Sequence, residues 1–503
     1  MNNFIIKEIN KDLNSGLSKK KLKFRFAPEP NGVLHIGHVK AIYINFKLAK
    51  IFNSKIYLRF DDTNPKNENF FFVNEILKNI KWLNLKYDKI TFTSDYFNIL
   101  YILAKKLIIK NKAFIQYIKN NNIYNEFNID KNLYYFNNMK NGKYNENEFI
   151  LRAKLDNNLK NYYINNPVMY RIIKKNHYKT NNKWCIYPTY DWAHGQSDYI
   201  EKISHSLCSI EFQNHKPLYN WFINNIYNKK FNNLKPKQIE FSRLNFIDTI
   251  TSKRQFNYLI KKKIINKYDD LRLSTLVSLK KKGFKPKYII NFIKNLGFTK
   301  HNNNLSIKKL EILTKKKIIN NTEKIMIILN PIKLIIINLK KKKKKIKINN
   351  YKITFTKYIY IDKSDFKFKH DKNFFRLSLK NYVRLKYSYI IKAYKIKYYK
   401  NNKIKYILCK KYKNIKKNKI KSTIQWIPKF KKTKIFILDY KYIYIKNKKI
   451  YNIKSKKKII GYINKNNLKK LEINKIYQFL RIGFFYYFKF KTFIKLFYMD
   501  KNY

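Results

Sequence analysis

Acidic side chains are scarce in this chain beside basic ones. Its 503 residues hold 30 Asp and Glu against 112 Lys and Arg, a formal net charge of +82. A field of that size repels itself at low salt and draws polyanions, and RNA is the partner it suggests. The charge has a second source, however. Lys, Asn, Ile, Phe and Tyr have codons made only of A and T, and they dominate here while Gly (9) and Pro (10) are scarce. An AT-rich, reduced genome, such as an endosymbiont's, gives this balance in any protein, so charge alone supports RNA binding only weakly. Cysteine is also rare: Cys185, Cys208 and Cys409 are the three, and none forms a C-x-x-C pair. That argues against a zinc knuckle and a disulfide framework, and it fits a reducing cytoplasm. The stretch 1–16 lacks an apolar core followed by a small-residue cleavage site. No run approaches the ~20 apolar residues of a membrane span. The nearest, Ile325 to Asn338, is broken by Asn330, Pro331 and Lys333.

What is present is concentrated in Arg25-Phe26-Ala27-Pro28-Glu29-Pro30-Asn31-Gly32-Val33-Leu34-His35-Ile36-Gly37-His38. A short apolar run enters a Pro/Gly turn, and a helical pattern follows from Val39 to Lys50. This order aims backbone N–H groups and a positive dipole end at phosphate. His35 and His38 lie three apart and share a face of the first turn. Gly37 has no Cβ, so a flat ring can approach the backbone there. Imidazoles and amides at a helix start suit the triphosphate of ATP.

Further segments follow: Leu58-Arg59-Phe60-Asp61-Asp62-Thr63-Asn64-Pro65, Tyr187-Pro188-Thr189-Tyr190-Asp191, Ser206-Leu207-Cys208-Ser209-Ile210-Glu211-Phe212-Gln213, Glu240-Phe241-Ser242-Arg243-Leu244-Asn245 and Ile250-Thr251-Ser252-Lys253-Arg254. In this order and spacing they resemble the glutaminyl-tRNA synthetases, a family of class I aminoacyl-tRNA synthetases. The resemblance is dense from about Phe4 to Leu305 and sparse beyond.

Apolar runs (Leu22–Phe26, Ile56–Phe60) alternate with helical patterns (Val39–Phe52, Glu68–Leu83), a βαβ rhythm that implies a parallel sheet. Ile99 to Ile109 reads as a further helix. Periodicity weakens from Ala113 to Lys183, most of all over Asn120 to Asn147, and a sheet pattern returns at Trp184–Tyr187. Helical patterns cover Arg254–Lys263 and Pro286–Leu296, the latter ended by Gly297 as a C-cap. Beyond Thr322, period-two segments follow one another: Tyr351–Thr356, Tyr358–Ile361, Phe375–Leu379, Tyr389–Tyr394, Ile404–Cys409, Thr423–Ile427 and Lys434–Leu438. Strands at this spacing suggest barrels. Lys340 to Lys345 reads as a solvated loop. The resemblance implies a multidomain fold. An α/β Rossmann-like catalytic domain (1–112 and 184–250) is split by an acceptor-stem-binding insertion (113–183). A signature loop and helical connector (251–321) lead to anticodon-binding β-barrels (322–503).

The implied reaction joins an amino-acid carboxylate to the α-phosphate of ATP. Positioned positive charge and N–H donors supply most of the catalysis. His35, His38 and Lys253 are the expected catalytic residues. The resemblance assigns ATP contacts to Glu29, Pro30, Asn31, and to the run His35, Ile36, Gly37, His38, Val39, Lys40 and Ala41. It adds Ser209, Arg243, Leu244, Thr251, Ser252 and Lys253. Thr251 stands where the family's Met is usual, while the Ser-Lys pair is intact. ATP is expected as its Mg2+ complex, with no metal held by the protein itself.

Asp61 ends an apolar strand, where α/β ligand sites gather, and a carboxylate there can hold a substrate ammonium. Tyr190 matches the family's glutamine-binding tyrosine, and Arg25 a pocket arginine. Cys208 discriminates: glutamyl-tRNA synthetases typically carry Arg at this position, which pairs with a γ-carboxylate. A neutral thiol removes that partner and favours glutamine. A glutamyl-tRNA synthetase, or a tRNA-binding protein that has lost catalysis, are the alternatives. For tRNA, the resemblance points to Asn214, Lys300, Lys324, Arg376 and Gln478. Asn214 replaces the family's usual Asp, and the segment between Ala113 and Arg152 is shorter than the family's. The expected partners are tRNA(Gln), L-glutamine and ATP, with no membrane, and the expected state is a cytoplasmic monomer.

Overall fold

The computed structural model describes residues 3–119, 122–124, 127–155, 165–227, 235–299, 303–339, 343–348, 351–368, 373–413, 415–445, 450–452 and 455–498. Lys300 lies outside them. The chain divides into two compact units. The first comprises Met1–Tyr268, Ser274–Val277 and Pro286–Ser306; the second comprises Asp269–Leu273, Ser278–Lys285 and Ile307–Tyr503.

In the first unit, Lys23–Phe26, Lys55–Phe60 and Lys89–Phe92 form a parallel sheet in that order. Phe24, Leu58 and Phe60 are fully buried in it. A second parallel pair, His205–Ser209 with Lys237–Phe241, stands beside the first strand, where Ser204 N donates to Lys23 O. Helix His38–Phe52 buries Val39, Ile42, Phe46 and Ala49, a stripe of helical period, and ends at Asn53 in the left-handed region (φ 48°). Helix Phe70–Trp82 is capped by Asn69, whose side chain accepts from Phe71 N. Glu68 therefore lies outside the helix rather than at its start. Helix Phe4–Asn14 is capped by the Asn3 side chain and buries Ile5, Ile6 and Ile9.

Residues 113–188 hold an antiparallel sheet in the order Asn122–Tyr124, Ala113–Lys119, Phe149–Ala153, Val168–Ile172, Ile186–Pro188. Two expectations change here. The strand at Trp184–Tyr187 does not resume the parallel sheet; Ile186–Pro188 closes the edge of this one, because Trp184, Ile186 and Tyr187 share its core with Phe136, Met139 and Leu151. The stretch read as aperiodic contains helix Ile129–Lys140. Asparagines hide its period: Asn132 is buried, taking Ile115 N on its Oδ1 and donating to Phe127 O. The segment expected to be shorter than the family's holds a short antiparallel pair, Ala113–Lys119 with Asn122–Tyr124. Helix Pro286–Leu296 ends at Gly297 with φ +70°, as a C-cap requires.

In the second unit, sheets of seven and six strands stand where two barrels were expected. One packs around Trp426, Phe355 and Ile407, the other around Phe479, Phe485 and Phe493. Phe375–Leu379 is not a strand; only Leu377 pairs, in an isolated bridge to Phe366. The expected loop at Lys340–Lys345 is corrected over its second half, since Lys343–Ile348 pairs with Tyr351–Thr356.

Candidate active site

A cavity of about 550 Å³ opens at the carboxyl ends of Lys23–Phe26 and His205–Ser209, where open α/β sheets place ligands. The turn before helix His38–Phe52 supplies one wall. His35 Nδ1 accepts from Gly37 N at 3.0 Å and His38 Nδ1 accepts from His35 N at 3.1 Å. The rings lie 3.8 Å apart, centroid to centroid. Burial pushes both imidazoles down, with Arg243 adding to it; His38 falls to about 4 and His35 well below its ordinary value. Both are neutral at pH 7. With Nδ1 accepting in each, the ring proton sits on Nε2, and each presents an N–H donor. The backbone of this turn is held by Ser274 and Leu276: Ile36 N donates to Ser274 O, and Leu276 N to Leu34 O.

Lys253 opens helix Lys253–Lys261 and lines the same cavity, as do Thr251 and Ser252. Its stem lies against Gly32, where an added Cβ would be 3.8 Å from Lys253 Cδ. Burial lowers the ammonium's pKa, and Glu29 and Glu68 pull the other way. Of the other positions expected to contact ATP, Glu29, Asn31, Gly37, Lys40 and Ala41 line the cavity. So do Ser209, Arg243 and Leu244. Pro30, Ile36 and Val39 are buried and do not. Lys40 donates to Ser242 Oγ at 2.5 Å, and burial lowers its pKa to about 8. Arg243 pairs with Glu211, both half-exposed.

At the other end stand Arg25, Tyr190 and Cys208. Tyr190 begins helix Tyr190–Ile200, with its ring stacked on His194 at 4.8 Å and near Phe212 at 5.0 Å. Burial raises the phenol's pKa well above its ordinary value and also raises the Cys208 thiol's, so both stay protonated. Asp61 is buried and does not line the cavity. Its Oδ1 accepts from Arg59 Nε at 3.0 Å and Thr93 Oγ1 at 2.9 Å, while Oδ2 is buried with no protein partner. Its neighbour Asp62 is spent structurally: it accepts from Ser94 N, Ser94 Oγ and Tyr178 OH.

The sequence reading missed the supporting charges. Arg59, Asp198 and Glu201 are buried, with Arg59 reaching Asp198 Oδ1 at 2.9 Å and Glu201 Oε2 at 3.1 Å. Arg59 sat inside a quoted motif; Asp198 and Glu201 lie near the end of helix Tyr190–Ile200, with no local pattern to mark them. The positions expected to contact tRNA are dispersed. Asn214 is exposed on the turn Ile210–His215. Lys324 and Gln478 are register partners on adjacent strands, and Arg376 pairs with the buried Asp365 at 3.2 Å. Among the described residues, no three His, Cys, Asp or Glu side chains are grouped to hold a metal ion. No described helix is long and apolar enough to cross a membrane.

A family model for the class I tRNA synthetases (E and Q), catalytic domain, matches residues 21–320, and two models for the anti-codon binding domain of the same synthetases match 323–412 and 423–487. The chain is 41% identical to a glutamine–tRNA ligase of Buchnera aphidicola subsp. Acyrthosiphon pisum (strain Tuc7), over 96% of this chain and 92% of that one. It is 36% identical to the glutamine–tRNA ligase of Rhodopirellula baltica, over 87% and 77%. Among solved structures it is similar to a glutamate tRNA ligase from Elizabethkingia meningosepticum, at TM-score 0.42 and 16% identity over 60% of this chain and 70% of that one, a likeness that decides nothing between the two amino acids. The chain belongs to the class I tRNA synthetases of the E and Q group, and within that group to the glutamine–tRNA ligases. It is therefore an ATP-using ligase with tRNA-binding domains.

Proposed function

We propose that this chain activates L-glutamine and esterifies the 3′-terminal adenosine of tRNA(Gln), with the roles placed as follows. A glutamine carboxylate oxygen attacks the α-phosphorus of ATP, which enters as its Mg2+ complex; the bond to the bridging oxygen breaks and pyrophosphate leaves. A ribose hydroxyl of the terminal adenosine then attacks the adenylate carbonyl and AMP departs. Charge grows on the phosphoryl oxygens in the first step. The Nε2–H groups of neutral His35 and His38 and the ammonium of Lys253 are preorganised donors for it. Asp61 Oδ2, buried and without a protein partner, takes the substrate ammonium once the site uncovers it, since Asp61 does not line the cavity as it stands. Tyr190 and Arg25 meet the side-chain amide. Asn214, Lys324, Arg376 and Gln478 serve tRNA recognition.

One observation carries this reading: the imidazole pair, Lys253, Tyr190 and Cys208 all line one cavity. We also infer a monomer acting in the cytoplasm of a bacterium with an AT-rich, reduced genome. Free Cys185, Cys208 and Cys409 support the reducing compartment, and the Buchnera relative supports the reduced genome. The test is charging of a tRNA(Gln) transcript with radiolabelled glutamine or glutamate, scored side by side, with light scattering for the mass in solution. Glutamate charged in preference to glutamine would overturn the assignment.

A further inference from the structure

Arg25 puts a guanidinium at the amino-acid end of the cavity, with Nη2 3.7 Å from Cys208 Sγ. The absence of an arginine at position 208 therefore does not leave this end without a positive charge. Something else must keep the site from preferring a γ-carboxylate. The structure shows how Arg25 is occupied. Nε donates to Asp198 Oδ1 at 3.0 Å, Nη1 to Leu207 O at 3.1 Å, and Nη2 to Ser206 Oγ at 2.8 Å and His194 Nε2 at 3.1 Å. A guanidinium has five N–H groups, so one remains, on Nη1. Asp198 is fully buried, and it also takes Ser206 Oγ at 2.6 Å and Tyr219 OH at 3.1 Å on Oδ2.

We propose that Asp198 is a specificity-determining residue, which acts through Arg25 to make the site accept an amide and refuse a carboxylate. This rests on the glutamine reading above. Bidentate capture of a carboxylate needs two parallel N–H groups and an uncompensated charge. Asp198 removes both conditions. It neutralises Arg25, and with Ser206 it turns the fork so that Nη2 is committed to the protein. The single remaining N–H matches the one oxygen of a glutamine amide, and the Tyr190 hydroxyl can accept from its NH2.

The test is the ratio of kcat/KM for glutamine and glutamate in the full-length Asp198→Asn enzyme, which keeps the shape and removes the charge. The ratio should fall about tenfold or more, the scale of one charge-assisted hydrogen bond gained by glutamate. Glu201→Gln, which removes a charge from Arg59 without touching Arg25, should leave the ratio within about twofold even where rates drop. A folded Asp198→Asn enzyme with the parent's ratio overturns the proposal, and so does an equal shift in Glu201→Gln. If Asp198→Asn does not fold, Ser206→Ala decides. It frees an Nη2 N–H and should move the ratio the same way; an unchanged ratio there also overturns the proposal. Failure of the parent enzyme to charge glutamine would instead overturn the functional reading on which this stands.

Discussion

Gly37 and the His35 ring share a space that no side chain at position 37 can enter. A Cβ built on Gly37 would lie 2.8 Å from His35 Cε1 and 2.9 Å from Nδ1. The backbone of Gly37 is ordinary right-handed helix, with φ −62°. Glycine is needed here for closeness, so that Gly37 N can donate to His35 Nδ1, and not for conformational freedom.

Gly37→Ala should therefore displace His35 with little effect on folding. A shift of about 1 Å in a positioned group costs on the order of 10² in rate. Glutamine-dependent pyrophosphate exchange should fall by about that factor, while the thermal midpoint stays near the parent's. An exchange rate within a few-fold of the parent would show that His35 does not need this seat.

Lys253→Ala should slow adenylate formation far more than it weakens tRNA binding. Loss of one charged donor at a developing oxyanion removes about 3–4 kcal/mol of transition-state stabilisation, roughly 10²–10³ in rate. Single-turnover quench-flow and filter binding separate the two quantities. A near-parental single-turnover rate would take Lys253 out of the chemistry.

The sequence showed the ends of this site better than its middle. His35, His38 and Lys253 sit in contiguous strings whose spacing has a local cause, a helix start in each case, and they line one cavity. Asp198 and Glu201 do their work through Arg25 and Arg59, partners 173 and 142 residues away, so no local pattern marks them. The fold divides the same way. Helices with a clear apolar stripe, such as His38–Phe52, were readable. Helix Ile129–Lys140 was not, because buried Asn132 and Asn138 stand where apolar residues are expected. The strand Ile186–Pro188 was legible as a strand, but its sheet was not, since a short apolar run carries no record of its neighbour.

His177 gives a test by pH. Its Nδ1 accepts from Lys179 N and Thr180 N at 3.2 Å, and its Nε2 faces Asp62 O at 3.1 Å and Asp62 Oδ2 at 3.6 Å. Burial lowers its pKa from 6.5 to about 4, with Lys179 adding to it and the Asp62 carbonyl opposing. Tyr178, Tyr187 and Phe97 complete its surroundings. Between pH 4 and 6.5 the unfolded chain carries a proton here that the folded chain does not. Unfolding takes that proton up, so this group's contribution to stability falls as pH falls through the window. Asp62, raised to about 7 by burial, works in the opposite direction, so the comparison must be a difference between variants. In His177→Asn, proton uptake on unfolding at pH 5 should be lower than the parent's by about one proton. Equal uptake would mean that His177 is charged in the folded chain.

Asp365 joins two arginines, Arg481 and Arg376, whose roles can be told apart by substitution. It is fully buried and takes a fork of two bonds from Arg481, Nη1 to Oδ1 at 3.0 Å and Nη2 to Oδ2 at 2.6 Å. Arg376 approaches the same Oδ1 at 3.2 Å with its side chain 41% exposed, and also donates to Ser364 O. The two substitutions should therefore differ in kind. Arg481→Ala takes the two-bond fork from a buried carboxylate and leaves it the single contact to Arg376; with Arg481 itself 32% exposed, the loss should be about 1–3 kcal/mol. Its loss should appear as a lower unfolding midpoint. Arg376→Ala leaves the fork intact, so stability should change by less than about 1 kcal/mol. If Arg376 reads an anticodon base, by the bidentate contact to guanine that arginine makes well, discrimination against a substituted base should weaken by ~1–3 kcal/mol. The measurement pairs urea unfolding with charging of transcripts altered only in the anticodon. Equal charging ratios in Arg376→Ala and the parent would remove Arg376 from anticodon reading. An Arg481→Ala protein as stable as its parent would mean that Arg376 alone suffices to hold Asp365.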